Sequence, residues 1–381
     1  MNNRIPKIAI ITNIIPSYRK GFYDLLFKRE DINVNVFCQD HIKGVNVKSI
    51  HSDYKKNVNV MKFWSLDQEK LVWQFLPYWK IFKTYDIIII DGNPRILTHF
   101  LFSTLLRLTN KKIVIWSMLH SFRNNYFTKF IRLQWLKFFK YHLLYFETDI
   151  IKLKKYGFKN NALYALNNGL DQIKIDQATN FWDKEKLSFW QQQNNLENKC
   201  IIISSGRLVN NKYDLLLDNF TKLLKYFPNL LWCIIGDGPD FKKMTLKAKI
   251  LNIAEHLVFI GENYNDFELA PWFLSSKIFI HPYAVGLSIM HAFGYGLPII
   301  THDDNRTHGP EFTIFKNGIN GFSYKNNDPF DFVITIVNVL SNNENLLKAK
   351  LNAYSLVKNK YNTDVMHNNF SKMINDIYKN K

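Results

Sequence analysis

Short apolar runs alternate with longer amphipathic stretches from one end of this chain to the other. Runs of four to six apolar residues without polar alternation read as strands buried on both faces. The amphipathic stretches between them read as crossover helices, and together they predict parallel sheets covered on both sides. In the first half the predicted strands are Lys7–Thr12, Ile32–Cys38, Asp86–Asp91, Lys112–Trp116, Leu143–Glu147 and Ala162–Leu166. In the second half they are Ile201–Ser205, Leu231–Ile235, Val258–Gly261, Lys277–His281 and Pro298–His302. Helices are expected over Leu215–Tyr226 and Asp240–Leu251, and from Tyr324 to the end. The fold class is therefore α/β.

A length of 381 residues exceeds one ordinary hydrophobic core and suits two domains. A polar stretch rich in Asn, Gln and Lys, between Asp171 and Cys200, marks the join. The expected division is a first domain over 1–173, a linker over 174–199, a second domain over 200–355 and a last helix over 356–381. Two such Rossmann-like domains would face each other across a cleft at the carboxyl ends of their sheets, where open α/β sheets take ligands.

Charge narrows the partners. The formal net charge is +18, and aromatic residues make up 15% of the chain. That balance calls for an anionic partner: a nucleic acid, an acidic membrane or a phosphorylated substrate. Cys38, Cys200 and Cys233 match no metal-ligand spacing and read as buried free thiols of a reducing compartment. The start of the chain leads directly into a strand rather than a signal peptide, and there is no run of ~20 apolar residues. The expected location is cytoplasmic, with a peripheral position at the inner face of the cytoplasmic membrane open to it.

Candidate chemistry lies just after the predicted strands. Gly206-Arg207-Leu208 leads to Lys212; Gly206 permits a sharp turn, Arg207 can fork onto two phosphate oxygens and Lys212 adds a point charge. Gly236-Asp237-Gly238-Pro239 reads as a structural turn in which Asp237 caps a helix. Gly286-Leu287-Ser288 would open a helix whose free N–H groups can hold a diphosphate, with His291 one turn inside. His291 alone also reads as a packed core histidine. Thr301–Glu311 is a polar loop after a strand, followed by the turn Asn317–Gly321.

The order of these motifs resembles the retaining GT-B glycosyltransferases often called family 4, of the bacterial polysaccharide and lipopolysaccharide type. The residues that carry the resemblance are Gly-Arg-Leu…Lys, Gly-Asp-Gly-Pro, Gly-Leu-Ser…His-Ala…Gly-Leu-Pro and Pro-Glu…Asn-Gly…Gly, over Cys200–Tyr324. It implies transfer of a hexose or N-acetylhexosamine from a nucleotide sugar, with a UDP-sugar as first expectation, to a glycan or lipid-linked acceptor. It also implies that the last helix returns to the first domain. Arg207 and Lys212 match the pair that holds the donor diphosphate, beside Gly206. Gly286, Leu287 and Ser288 match the helix opening near the phosphates and donor sugar. The family has two glutamates eight positions apart in this motif. Here Tyr283 stands at the first and His291 at the second, and Glu311 is the acid that could serve from the next loop. Pro16, Tyr18, Arg19 and Asn93 fall on the acceptor side. His120 aligns with a histidine beside the donor sugar, and also reads as an ordinary loop histidine. The turn Asn168–Asp171 resembles one that closes the family's first domain.

No Asp-x-Asp triplet occurs, so neither a metal nor another cofactor is expected. Asn124–Tyr141 interleaves Lys129, Arg132, Lys137 and Lys140 with Phe127, Phe130, Trp135, Phe138 and Phe139. It reads equally as a packing helix or as one lying on an anionic membrane. Two other readings stay open: a sugar-nucleotide epimerase or hydrolase on the same plan, and a basic nucleic-acid-binding protein. The last ranks below the others because no nucleic-acid motif accompanies the charge.

Overall fold

The computed structural model describes residues 4–42, 49–66, 71–119, 126–158, 162–210 and 212–379. The chain divides into two compact units, Met1–Asp171 with Tyr361–Lys381, and Gln172–Lys360.

The first unit is built on a seven-stranded sheet. Its strands are β1 (Lys7–Ile11), β2 (Asn33–Cys38), β3 (Val58–Val60), β6 (Ile87–Asp91), β7 (Lys112–Ser117), β8 (Tyr141–Leu144) and β9 (Leu163–Ala165). They run parallel in the order β3-β2-β1-β6-β7-β8-β9. Ile87 to Ile90 are fully buried, as a central parallel strand requires. A small antiparallel hairpin, β4 (Phe63–Leu66) and β5 (Leu71–Gln74), stands apart.

Alternate residues of the strands feed two cores. Ile8, Ile10, Ile87, Ile89 and Val114 pack against α1 (Lys20–Phe27) and α14 (Thr363–Lys379). Ala9, Ile11, Ile88, Ile90 and Ile115 pack with α2 (Tyr78–Thr84), α3 (Leu97–Arg107), α4 (Tyr126–Lys137) and α5 (Glu147–Lys155). Helix α14 brings Met366, Phe370, Met373, Ile374 and Ile377 to the first core. The Phe370 ring meets Phe22 edge-on at 5.8 Å. The chain enters α14 through a close crossing: Leu170 bridges Asn362, and the Thr363 N–H donates to the Leu170 carbonyl at 3.1 Å.

The second unit holds β10 (Cys200–Ser205), β11 (Leu230–Ile235), β12 (Leu257–Gly261), β13 (Ser276–Ile280), β14 (Ile299–His302) and β15 (Gly321–Tyr324). These strands are parallel in the order β12-β11-β10-β13-β14-β15. Around them lie α6 (Gln172–Phe181), α7 (Lys184–Gln193), α8 (Asp214–Leu224), α9 (Phe241–Ile250), α10 (Asp266–Ser275), α11 (Ser288–Gly294), α12 (Pro329–Ser341) and α13 (Asn343–Lys360). Trp232 is wholly buried; its indole N–H donates to Ser204 Oγ at 2.9 Å, which donates to the Ile280 carbonyl at 2.7 Å. The chain of bonds satisfies these polar groups across three strands.

The structure departs from the sequence reading in three respects. Residues 172–193, read mostly as linker, form α6 and α7 of the second unit. Their polar composition belongs to exposed faces, and α6 buries only Gln172, Ile175 and Ala178. Strand β8 ends at Leu144 and Glu147 opens α5, because Glu147 and Asp149 suit the positive first turn of a helix. The edge strands β3 and β15 and the two strands of the β4–β5 hairpin are only three or four residues long, too short to announce themselves.

Candidate functional site

In the second unit four strand ends gather the predicted motifs. Gly206 follows β10 with φ +147°, a conformation that favours glycine. The Gly236 loop packs directly on it: a Cβ at Gly236 would lie 2.1 Å from the Gly206 carbonyl oxygen. The Leu208 N–H donates to the Asp237 carbonyl and the Asp240 N–H to the Leu208 carbonyl, both at 3.0 Å. Gly-Asp-Gly-Pro is thus a buttress for the Gly206–Leu208 turn. One detail is corrected: Asp237 does not cap α9, which starts later, at Phe241. Its carboxylate accepts the Gly238 N–H at 2.7 Å instead.

The buttressed turn presents two cations. Arg207 is exposed, Lys212 is half-buried, and neither side chain has a hydrogen-bond or ion-pair partner among the described residues. Burial, and then the charge of Arg207, hold the Lys212 ammonium below its ordinary range. Helix α8 starts two residues further on. The imidazole of His281, at the end of β13, is wholly buried. Burial, with the Lys212 charge behind it, pushes it down to about 4, and its Nδ1–H donates to the Tyr283 carbonyl at 3.1 Å.

The third motif is clamped from the next loop. His308 Nδ1 accepts the Val285 N–H at 3.0 Å, and its Nε2–H donates to the His302 carbonyl at 2.9 Å. Both nitrogens are therefore committed and the ring is neutral. A Cβ at Gly309 would lie 2.9 Å from the Val285 carbonyl, 3.0 Å from the Glu311 carboxylate and 3.2 Å from Gly286 Cα. Gly286 and Glu311 are thereby brought together. Leu287 and Ser288 open α11, and none of the N–H groups of 286–288 donates to another described group. Tyr283 is exposed.

His291 is not a plain packing residue. Its Nε2 lies 2.9 Å from Asp266 Oδ1, and the Tyr295 hydroxyl donates to the same oxygen at 3.2 Å. With Nε2–H given to Asp266, Nδ1 is left as an acceptor. Sequence reasoning missed Asp266, Tyr295 and His308. Asn265-Asp266 carries a helix-start signature, and Asn265 does accept the Phe267 N–H. Nothing in it points to a position 25 residues away.

In the first unit, Pro16, Tyr18 and Arg19 follow β1, and Asn93 follows the neighbouring β6. Pro16 and Arg19 are buried and Tyr18 is exposed. Asn93 closes a local turn by accepting the Arg95 N–H at 3.2 Å. His120 lies outside the described residues. Among the described residues no group of three His, Cys, Asp or Glu side chains is gathered as a metal would need, and no helix is long and apolar enough to cross a membrane.

Comparison with known proteins places this geometry. Residues 187–356 match the family Glycosyl transferases group 1. An uncharacterized glycosyltransferase of Methanocaldococcus jannaschii is 24% identical over 299 residues, covering 74% of this chain and 70% of the relative. The crystal structure of a glycosyltransferase from Rickettsia africae shares the fold over 99% of both chains, with a TM-score of 0.71 and 16% identity. The structure of HepE from Anabaena, in complex with UDP, does so over 97% of this chain and 100% of its own, with a TM-score of 0.68 and 14% identity. Residues 187–356 thus carry a glycosyl transferases group 1 domain, and the chain is a glycosyltransferase of the GT-B fold.

Proposed function

We propose that the second unit binds a UDP-sugar and that the enzyme transfers its sugar, with retention at the anomeric carbon, to a glycan or lipid-linked acceptor of cell-surface polysaccharide. The observation that carries the donor reading is the pair Arg207 and Lys212. Two cations whose side chains have no partner among the described residues stand on a buttressed turn at the end of a central strand, beside a helix start. Such a pair meets the charge that develops on a departing diphosphate without help from a metal. The UDP bound to HepE supports uridine as the base. Gly286–Ser288 and Glu311 line the sugar side. His291, held by Asp266, accepts a ribose hydroxyl through Nδ1 where the family has a glutamate.

The lipid-linked reading draws on the first unit's surface. Trp135, Leu136 and Phe139 enter the core, while Phe130, Ile131 and Phe138 on and just after α4 are exposed, as are Leu101, Leu105 and Leu108 on and just after α3. Lysines and arginines flank them. Such a face suits an anionic bilayer surface.

A thermal-shift screen across UDP-, GDP- and CMP-sugars tests the donor assignment, since a bound ligand raises the melting temperature by mass action. UDP-sugars are expected to stabilise wild type and not Arg207→Ala. Tight oligonucleotide binding with no response to any nucleotide sugar would overturn the reading. Turnover of the donor to an isomer or free sugar, with no transfer to any of a panel of glycan acceptors, would favour the epimerase or hydrolase. The anomeric configuration of the product, read by NMR, decides retention.

A further inference from the structure

Arg19 ends the short turn Ser17–Arg19 after β1, and it is only 7% exposed. Its guanidinium lies 4.8 Å from the Trp116 ring centroid and 5.2 Å from that of Tyr145. Trp116 is near the end of β7 and Tyr145 directly follows β8. The rings, together with the Tyr145 hydroxyl bonded to the guanidinium, offset the burial cost and hold Arg19 charged, but they leave donors unused. Among the described residues, neither Arg19 Nε nor Trp116 Nε1 finds an acceptor, and both are buried.

A second arginine reaches the same strand ends. Arg132 of α4 donates from Nη2 to the Met118 carbonyl at 2.7 Å and lies 3.5 Å from that of Gly92, while its Nε is buried without an acceptor among the described residues. Gly92, just past β6, ties the two strands by donating its N–H to the Trp116 carbonyl at 2.8 Å.

Two carboxylates act on the cluster, Asp149 on Arg132 and Asp91 on both arginines. Asp149 is paired with Lys152 at 3.2 Å. Asp91 ends β6 and acts on both arginines, yet it forms no ion pair with either. Burial pushes its carboxyl up to about 6, against the pull of Arg19 and Arg132. The cluster therefore keeps a surplus of positive charge in a place with little water. A buried cation without a close counter-ion costs several kcal/mol. Proteins retain such groups where a ligand supplies the missing charge.

We propose that this cluster binds an oxyanion, a phosphate or a carboxylate, carried by the acceptor. Arg19 Nε–H and Trp116 Nε1–H are its donors and Arg132 supplies the second charge. The assignment to the acceptor rests on the reading of the first unit as the acceptor side; the anion site itself does not.

The full-length protein, titrated separately with inorganic phosphate and with acetate, tests this by calorimetry and melting temperature. Wild type and Arg207→Ala are expected to bind at least one of the two anions, and which one reports the class of acceptor group. Arg19→Met is expected to bind it at least tenfold more weakly, and without anion to melt no lower than wild type. Trp116→Phe keeps the ring and loses the donor, so several-fold weaker binding is expected; it decides the matter if Arg19→Met does not fold. Equal anion binding by wild type and both variants would overturn the proposal. So would a melting loss of several degrees in Arg19→Met with no anion effect in wild type, which would make Arg19 a structural plug. Anion binding lost in Arg207→Ala alone would place the anion in the second unit, leaving the donor reading intact and this one overturned. UDP that fails to bind while the Arg19 effect holds would do the reverse.

Discussion

The Arg207 side chain has no partner among the described residues, so its removal costs unit stability little and the reaction much. Arg207→Ala is expected to melt within a degree or two of wild type. Its kcat should fall by about 10²–10³, the usual loss when one charge-stabilising donor is removed from a developing anion. A variant of full activity would remove Arg207 from the reaction. Asp266 belongs to another class. It touches His291 and Tyr295 rather than any proposed substrate atom, and its work is to fix which nitrogen of His291 accepts. Asp266→Ala and His291→Ala should each raise the donor KM about tenfold, one hydrogen bond's worth, with kcat nearly unchanged. Steady-state kinetics at varied UDP-sugar checks both; an unchanged KM in both would take the pair out of donor recognition. Arg207 and Lys212 are legible in sequence because their chemistry is local: a glycine turn, a forked cation and a helix start within the nine residues from Gly206 to Asp214. The Asp266–His291 pair is not, because its two halves come from different helices and meet only through packing.

At the scale of elements, β1, β6, β7, β10, β11 and β13 announce themselves through short apolar runs rich in isoleucine, which a sheet covered on both faces buries. Helices α6 and α7 do not, because a surface helix pair that buries few side chains looks like a polar linker. The sequence of α4 supports both a packing helix and a membrane helix, and the residues divide the work. Trp135, Leu136 and Phe139 are buried, and Trp135 stacks on Phe100 with ring centroids 5.1 Å apart. Phe138 remains 65% exposed and Leu108 84%. Arg107 holds the two helices together by donating to the Phe138 carbonyl at 2.5 Å. A face that keeps large apolar side chains in water beside basic residues is stabilised by an interfacial environment. Replacing Leu105 and Phe138 with Ser should leave the fold intact, since both side chains point away from the core. It should reduce flotation with anionic liposomes at least several-fold. Wild-type protein that stays unbound to anionic vesicles at low salt would remove the membrane reading altogether.

The whole molecule depends on backbone crossings and buried neutral groups in each unit. At Gly169 a Cβ would lie 2.0 Å from the Tyr361 carbonyl oxygen, where the chain turns into α14. Gly169→Ala must push that crossing apart and should cost about 2–4 kcal/mol, seen as a lower urea midpoint. Acid should act on both units at once. In the first, His142 is buried, donates Nε2–H to the Phe139 carbonyl at 3.0 Å and leaves Nδ1 without a partner. Burial pushes it down to about 4. In the second, His281 sits at about 4 through burial and the nearby Lys212 charge. An unfolded histidine titrates near 6.5, so between 6.5 and 4 the unfolded chain takes up protons that the folded chain refuses. The stability tied to each ring is complete above pH 6.5 and is lost as the pH falls toward 4, at about 1.4 kcal/mol per unit. Each such group therefore removes about 3–4 kcal/mol from its own unit, a large share of an ordinary domain's margin of about 5–15 kcal/mol. Calorimetry should therefore show a melting temperature that is flat from pH 8 to 7 and falls ever more steeply below 6.5. His142→Gln and His281→Gln should each flatten that fall, whatever they do to stability at pH 7. A fall of equal slope in both variants would mean that other groups set the acid limit.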